Sequence, residues 1–182
     1  MLRSELMKSR KISQKQLIDM ITTVPSGVAL TPTAKLKWDV AVLVADCKAQ
    51  KNRFVRSVAD HVDSNGKKAN FLLSISHLFD AICEDDYQSV LVGSAIACKV
   101  AHSFKYEGKP CKVWELKSSN KDRIYFYATD LDAPRRKTIF LLMAYHKKDQ
   151  TTPAEVSTAC EDDVKTIIKS KGKIEFCEVK YD

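Results

Sequence analysis

A change of texture after Gly108 constrains this chain more than any other feature. From there, three runs are rich in β-branched and aromatic residues: CKVWELK at 111–117, RIYFYAT at 123–129 and KTIFLLMAYH at 137–146. Such runs favour strands. Short polar segments, SSNKD and DLDAPRR, join them. Connections this short turn the chain back on itself, so an antiparallel meander is predicted, with KTIFLLMAYH as its central strand. In TPAEVSTACEDDVKTIIKS, from 152, Thr152 can cap a helix, Pro153 suits its first position and Glu155 its first turn. IEFCEVKY at 174–181 alternates and is predicted as a final edge strand.

The first hundred residues read as helical. Leu2, Leu6, Leu17, Met20 and Ile21 suggest a short first helix, broken by VPSGVALTPT. Thr31 or Thr33, with Pro32, could open a second through Leu36, Val40, Leu43, Val44 and Cys47. It is expected to run on, with or without a break, to Phe54, Val55, Val58 and Val62, before the stop at DSNG. KKANFLLSISHLFDAIC at 67–83 is amphipathic, and a shorter helix is expected over 87–101. The expected fold class is α+β: a helical N-terminal half packed on a small antiparallel sheet. Residues 1–50 are read as a helical extension and 51–182 as the principal domain.

Residues 99–148 carry twelve basic and five acidic groups, a surplus equal to the whole net charge of +7. A basic segment of this kind is a footprint for an anionic partner, nucleic acid first, or else a solvated lysine-rich face. No window approaches the ~18 apolar residues of a membrane span. The N-terminus lacks a signal-peptide stretch, so a cytoplasmic location is expected. The six cysteines, Cys47, Cys83, Cys98, Cys111, Cys160 and Cys177, include no C-x-x-C pair. Buried reduced thiols are expected, rather than a zinc site or a disulfide framework.

Three clusters on or beside the strands could carry chemistry. The first is Lys112 and Lys117, on the strand of Trp114. The second is Lys121 and Arg123, with Tyr125 and Tyr127 on the same strand face as Arg123. The third is Tyr145, His146, Lys147 and Lys148. Together they could clamp phosphates and stack bases. The plainer reading packs Tyr125, Tyr127 and Trp114 in the core and pairs Arg123 with Asp122 or Glu115. No spacing resembles a metal site or a glycine-rich phosphate loop.

Several motifs resemble the RelE/HigB superfamily of toxin–antitoxin ribonucleases, in its phage-derived, HigB-type branch. They are Trp114-Glu115-Leu116-Lys117, Arg123 opening the next strand, Lys147-Lys148 closing the apolar strand, Thr151-Thr152-Pro153 and Ala159. The similarity covers residues 113–164 and extends more weakly back to Phe54, as a helical hairpin before the sheet. The resemblance implies cleavage of mRNA on the ribosome without metal or organic cofactor. A ribose 2′-OH would attack the adjacent phosphate, and a cognate antitoxin protein would neutralise the chain. It assigns phosphate stabilisation to Arg123, a second catalytic cation to Lys148 and a further basic contact to Lys117. Lys112, Lys121, Tyr125 and Lys147 would bind RNA. Many relatives carry a late tyrosine or histidine as acid/base. The helix after Pro153 has neither until Tyr181, which leaves His146, Tyr145 or a lysine. The alternative is a non-catalytic RNA- or protein-binding module.

Overall fold

The computed structural model of the chain describes residues 7–22, 27–132 and 135–177. Among these, the strands form one seven-stranded mixed sheet in the order β3-β4-β5-β6-β2-β1-β7. In chain order the elements are β1 (Lys8–Lys11), α1 (Gln14–Asp19), β2 (Asp39–Val44), α2 (Arg53–His61), α3 (Asn65–Ala81) and α4 (Tyr87–Val92). There follow β3 (Ala97–Tyr106), β4 (Lys109–Lys117), β5 (Asp122–Asp132), β6 (Arg135–His146), α5 (Ala154–Lys169) and β7 (Glu175–Cys177).

β3 to β6 form a four-stranded antiparallel meander. The β3–β4 connection is a two-residue turn in which Glu107 and Gly108 both have positive φ, 48° and 75°. Two successive positive φ values match the right-handed twist of a hairpin, and Gly108 adopts its value without steric cost. β2 joins the meander in parallel, Asp39–Ala41 against Thr138–Phe140. β1 pairs antiparallel with β2, and β7 pairs parallel with β1.

Each face of the sheet carries its own core. Leu17 of α1, Phe54 and Val58 of α2, and Ile75, Leu78 and Phe79 of α3 pack on Leu116, Ile124, Phe126, Ile139 and Leu141. On the other face, Val156, Cys160, Val164 and Ile167 of α5 pack on Val113, Tyr125, Phe140 and Leu142. α2 lies against β6 beyond the short pairing with β2. There the Ala144 N–H donates to the buried Ser57 hydroxyl at 2.8 Å, and that hydroxyl donates to the Phe54 carbonyl at 2.7 Å. A backbone group with no strand partner is thereby satisfied inside the core.

The sheet corrects the expected fold class. The N-terminal half carries α1 to α4 but also two strands, and it does not sit as a helical unit on a small antiparallel sheet. β1 and β2 lie inside a larger mixed sheet, between β6 and β7. DVAVLV, expected as part of a helix, is β2. It is apolar on both faces because both faces are covered, and an unbroken apolar run also satisfies helical spacing. KSRK, which has no strand signature of its own, is held as β1 by pairing on two sides. Thr33–Lys35 form a single 3-10 turn rather than the start of a helix. The helix expected over 87–101 stops at Val92, and the chain becomes β3 at Ala97.

The meander and the helix after Pro153 lie close to their expected bounds. Leu2, Leu6, the 178–181 end of the final strand, Tyr181 and part of the VPSGVALTPT break lie outside the described residues. The expectation of reduced thiols fails at one pair: Cys47 and Cys177 form a disulfide, and Cys83, Cys98, Cys111 and Cys160 are free. Sheet pairing of β7 with β1 brings Cys47 and Cys177 together across 130 residues of sequence, a proximity no local spacing reveals. No helix among the described residues is long and apolar enough to cross a membrane.

Candidate functional site

The open end of the meander gathers most of the sequence-predicted residues. The β3–β6 register aligns Ala97, Lys117, Arg123 and Tyr145 in one row, so their side chains share a face. The adjacent row pairs Asp122 with His146 and faces the opposite way, toward α3. The candidate residues are therefore divided between two faces of the same sheet end.

On the α3 side, His146 Nδ1 lies 2.6 Å from Asp122 Oδ1. The same carboxyl group accepts from Ser119 Oγ at 2.8 Å and from Asn70 Nδ2 at 2.6 Å, both at Oδ2. Burial opposes ionisation of Asp122, but the hydrogen bonds from His146, Ser119 and Asn70 outweigh it and hold its pKa below the usual value. The carboxylate is thus an acceptor, and the imidazole donates through Nδ1–H. The basic nitrogen is then Nε2, which makes no hydrogen bond among the described residues. The His146 side chain is 27% exposed. His61 stands close by, its ring 4.5 Å from that of Tyr145, and burial lowers its pKa. Asn70 comes from α3 and His61 from the end of α2, so the helical pair frames the dyad.

On the other side, Glu115 is buried among cations. Its carboxylate lies 3.3 Å from Arg123 Nε and 3.6 Å from Lys99 Nζ. Arg123 is 7% exposed; its two terminal nitrogens are occupied, while its Nε faces Glu115 without a hydrogen bond among the described residues. Nη1 donates to the carbonyls of Ser119 and Asp122 at 2.7 and 2.9 Å, and Nη2 to that of Asn120 at 3.0 Å. Arg123 therefore clasps the turn between β4 and β5. Lys147 is also buried, and its N–H ties β6 to the Lys121 carbonyl at 2.9 Å. Burial pushes its ammonium below the usual lysine pKa, helped by Arg123, Lys99 and Lys117 and opposed by Glu115.

The remaining residues fall as follows. Lys121 and Lys148 are exposed, in the β4–β5 turn and just beyond β6. Lys117 is half-buried on the Arg123 face. Lys112 is exposed but points to the face opposite Glu115 and Lys117, level with Ser103. Tyr125 is fully buried, with its hydroxyl 3.0 Å from Thr152 Oγ1 and its pKa pushed up to about 12 by burial. It packs in the core and presents no ring to a base. His146 and Tyr145 are neighbours in sequence on opposite sides of β6.

Asp122, Asn70, Glu115, Lys99 and His61 were not selected as site residues from sequence. The one local signal was the acid–base alternation Asp122-Arg123, which named Asp122 and Glu115 as ion-pair partners of the arginine. Among the described residues, no group of three or more His, Cys, Asp or Glu is placed to hold a metal ion. No family model, curated protein or solved structure matches the chain.

Proposed function

We propose that the chain is a translation-inhibiting endoribonuclease, acting in the cytoplasm on ribosome-bound mRNA and held in check by a protein antitoxin. The observation that supports this reading best is the His146–Asp122 dyad at a cation-rimmed sheet end. A carboxylate that fixes the tautomer of a half-exposed imidazole is a common way to prepare a general base or acid. His146 Nε2 would take the proton from a ribose 2′-OH as that oxygen attacks the neighbouring phosphorus. The P–O5′ bond breaks, leaving a 2′,3′-cyclic phosphate, and the departing oxygen takes up a proton. Lys148 and Lys121, exposed at the same end of the sheet, would stabilise charge on the phosphate, while Lys117 lies on the opposite face from the dyad. The route uses no metal or organic cofactor.

This reading moves two roles. Arg123, turned inward onto three carbonyls with Glu115 beside its Nε, positions the β4–β5 turn that carries Ser119 and Asp122. The Tyr145 ring lies against His61, and among the described residues its hydroxyl makes no hydrogen bond to Asp122 or His146. A second reading, a non-catalytic RNA-binding module, is favoured by that same occupation of Arg123, which leaves the cations without an accessible fork for phosphate.

Induction in bacterial cells, with mapping of RNA ends, separates the two. The enzyme reading expects growth arrest and new RNA ends, both abolished in His146→Ala. A protein that binds RNA yet neither arrests growth nor generates ends supports the module.

A further inference from the structure

The disulfide sits at one edge of the described sheet. Among the described residues, β7 runs Glu175–Cys177, pairs with β1 and forms one edge of the sheet. The described ladder between them runs from Lys8–Glu175 to Arg10–Cys177. Two further contacts are local: the Phe176 ring lies 5.2 Å from the Arg136 guanidinium carbon, and Arg10 Nη2 donates to the Cys47 carbonyl at 2.7 Å. The Cys47–Cys177 bond ties this strand to the turn after β2. Cys177 is buried, whereas Cys47 is only half-buried and lies between exposed Asp46 and Lys48. Cys47 is therefore the more exposed residue of the pair, and the one at which attack by a thiol from solution is expected.

We propose that Cys47–Cys177 is a reversible latch, which a dithiol reductant opens to release β7 from β1 and turn β1 into the sheet edge. A reductant thiolate attacks the Cys47 sulfur. The S–S bond breaks, Cys177 leaves as a thiolate and takes up a proton, and a mixed disulfide forms at Cys47. The second thiol of the reductant resolves it, and Cys47 leaves as a thiolate that is protonated in turn. The protein gains two electrons and two protons, and the dithiol departs as a disulfide. Of β7, Cys177 enters one core and Phe176 packs at the margin of the other, while most core residues belong to the meander, β2 and the helices, so release is local. The proposal is independent of the ribonuclease reading.

Hydrogen–deuterium exchange of the full chain tests it, before and after treatment with dithiothreitol and alkylation. Thiols titrated in denaturant should number four before reduction and six after, from the four free cysteines and the opened pair. Peptides spanning residues 7–11 and 173–177 should exchange at least about tenfold faster once reduced, as expected for a locally opened unit. Peptides from β4, β5 and β6 should be unchanged. Cys47→Ser should show the fast pattern without reductant. Six thiols in the untreated protein would overturn the latch. So would unchanged exchange at β1 and β7, or acceleration throughout the chain, which would make the cross-link a support for the whole fold.

Discussion

Replacing Arg123 removes a cation from beside Glu115, whose side chain is 3% exposed, and frees three turn carbonyls. Breaking a buried pair from one side costs about 3–5 kcal/mol, because the remaining charge stays buried. Lys99, 3.6 Å from Glu115, moderates that cost. Arg123→Ala is therefore expected to lower stability by about 3 kcal/mol in chemical denaturation. Arg123→Lys should recover only part, since a point charge cannot replace a planar fork bonded to three carbonyls. A fully stable Arg123→Ala would contradict this role. Sequence placed Arg123 at the start of its strand and named Glu115 as one of two partners. It could not show that the guanidinium turns inward, because that depends on the curl of the 118–121 turn. His146 was also selected, but Asn70, which donates to the same Asp122, lies 52 residues before that aspartate and has no local signature.

At the scale of elements, α2 and β6 are joined by one buried hydroxyl. Ser57→Ala leaves the Ala144 N–H without a partner in the core, at a cost of about 1–3 kcal/mol. Ser57→Thr keeps the hydroxyl and should lose less, with both read from denaturant midpoints. An unaltered midpoint for Ser57→Ala would mean that α2 does not close this stretch of β6. The meander was legible because short polar turns separate its β-branched and aromatic strands, and Thr152-Pro153 placed α5 within a residue or two. β2 was misread because a strand covered on both faces loses its alternation. β1 was invisible because pairing on two sides, rather than composition, makes KSRK a strand.

At the scale of the molecule, two carboxylates shape the response to pH in opposite senses. Asp122 is held below its usual pKa by its hydrogen bonds, so its contribution is present above the unfolded value and lost as pH falls through the folded one. Asp163 of α5 is pushed up to about 6 by burial, with Arg53 at 3.5 Å only partly compensating. The folded state then holds the Asp163 proton more tightly than the unfolded chain does. Stability is expected to fall as pH rises from about 4 to 6, and the cost persists above that. Asp163→Asn should remove this decline and raise stability at pH 7 by roughly 1–3 kcal/mol, seen as a flatter profile of Tm against pH. An unchanged profile would show that Asp163 is adequately solvated.

The central claim is that the His146–Asp122 dyad performs acid–base chemistry on RNA. The most direct test is cleavage of mRNA on programmed ribosomes by the purified full chain in the presence of a metal chelator. The account predicts cuts with 2′,3′-cyclic phosphate ends. His146→Ala, folded by circular dichroism, should lose on the order of 10²–10⁴ in rate. Asp122→Asn should lose less, retaining a hydrogen-bonding partner for the imidazole without its charge. Cleavage by folded His146→Ala at the parent rate, or no cleavage by the parent, would contradict the claim.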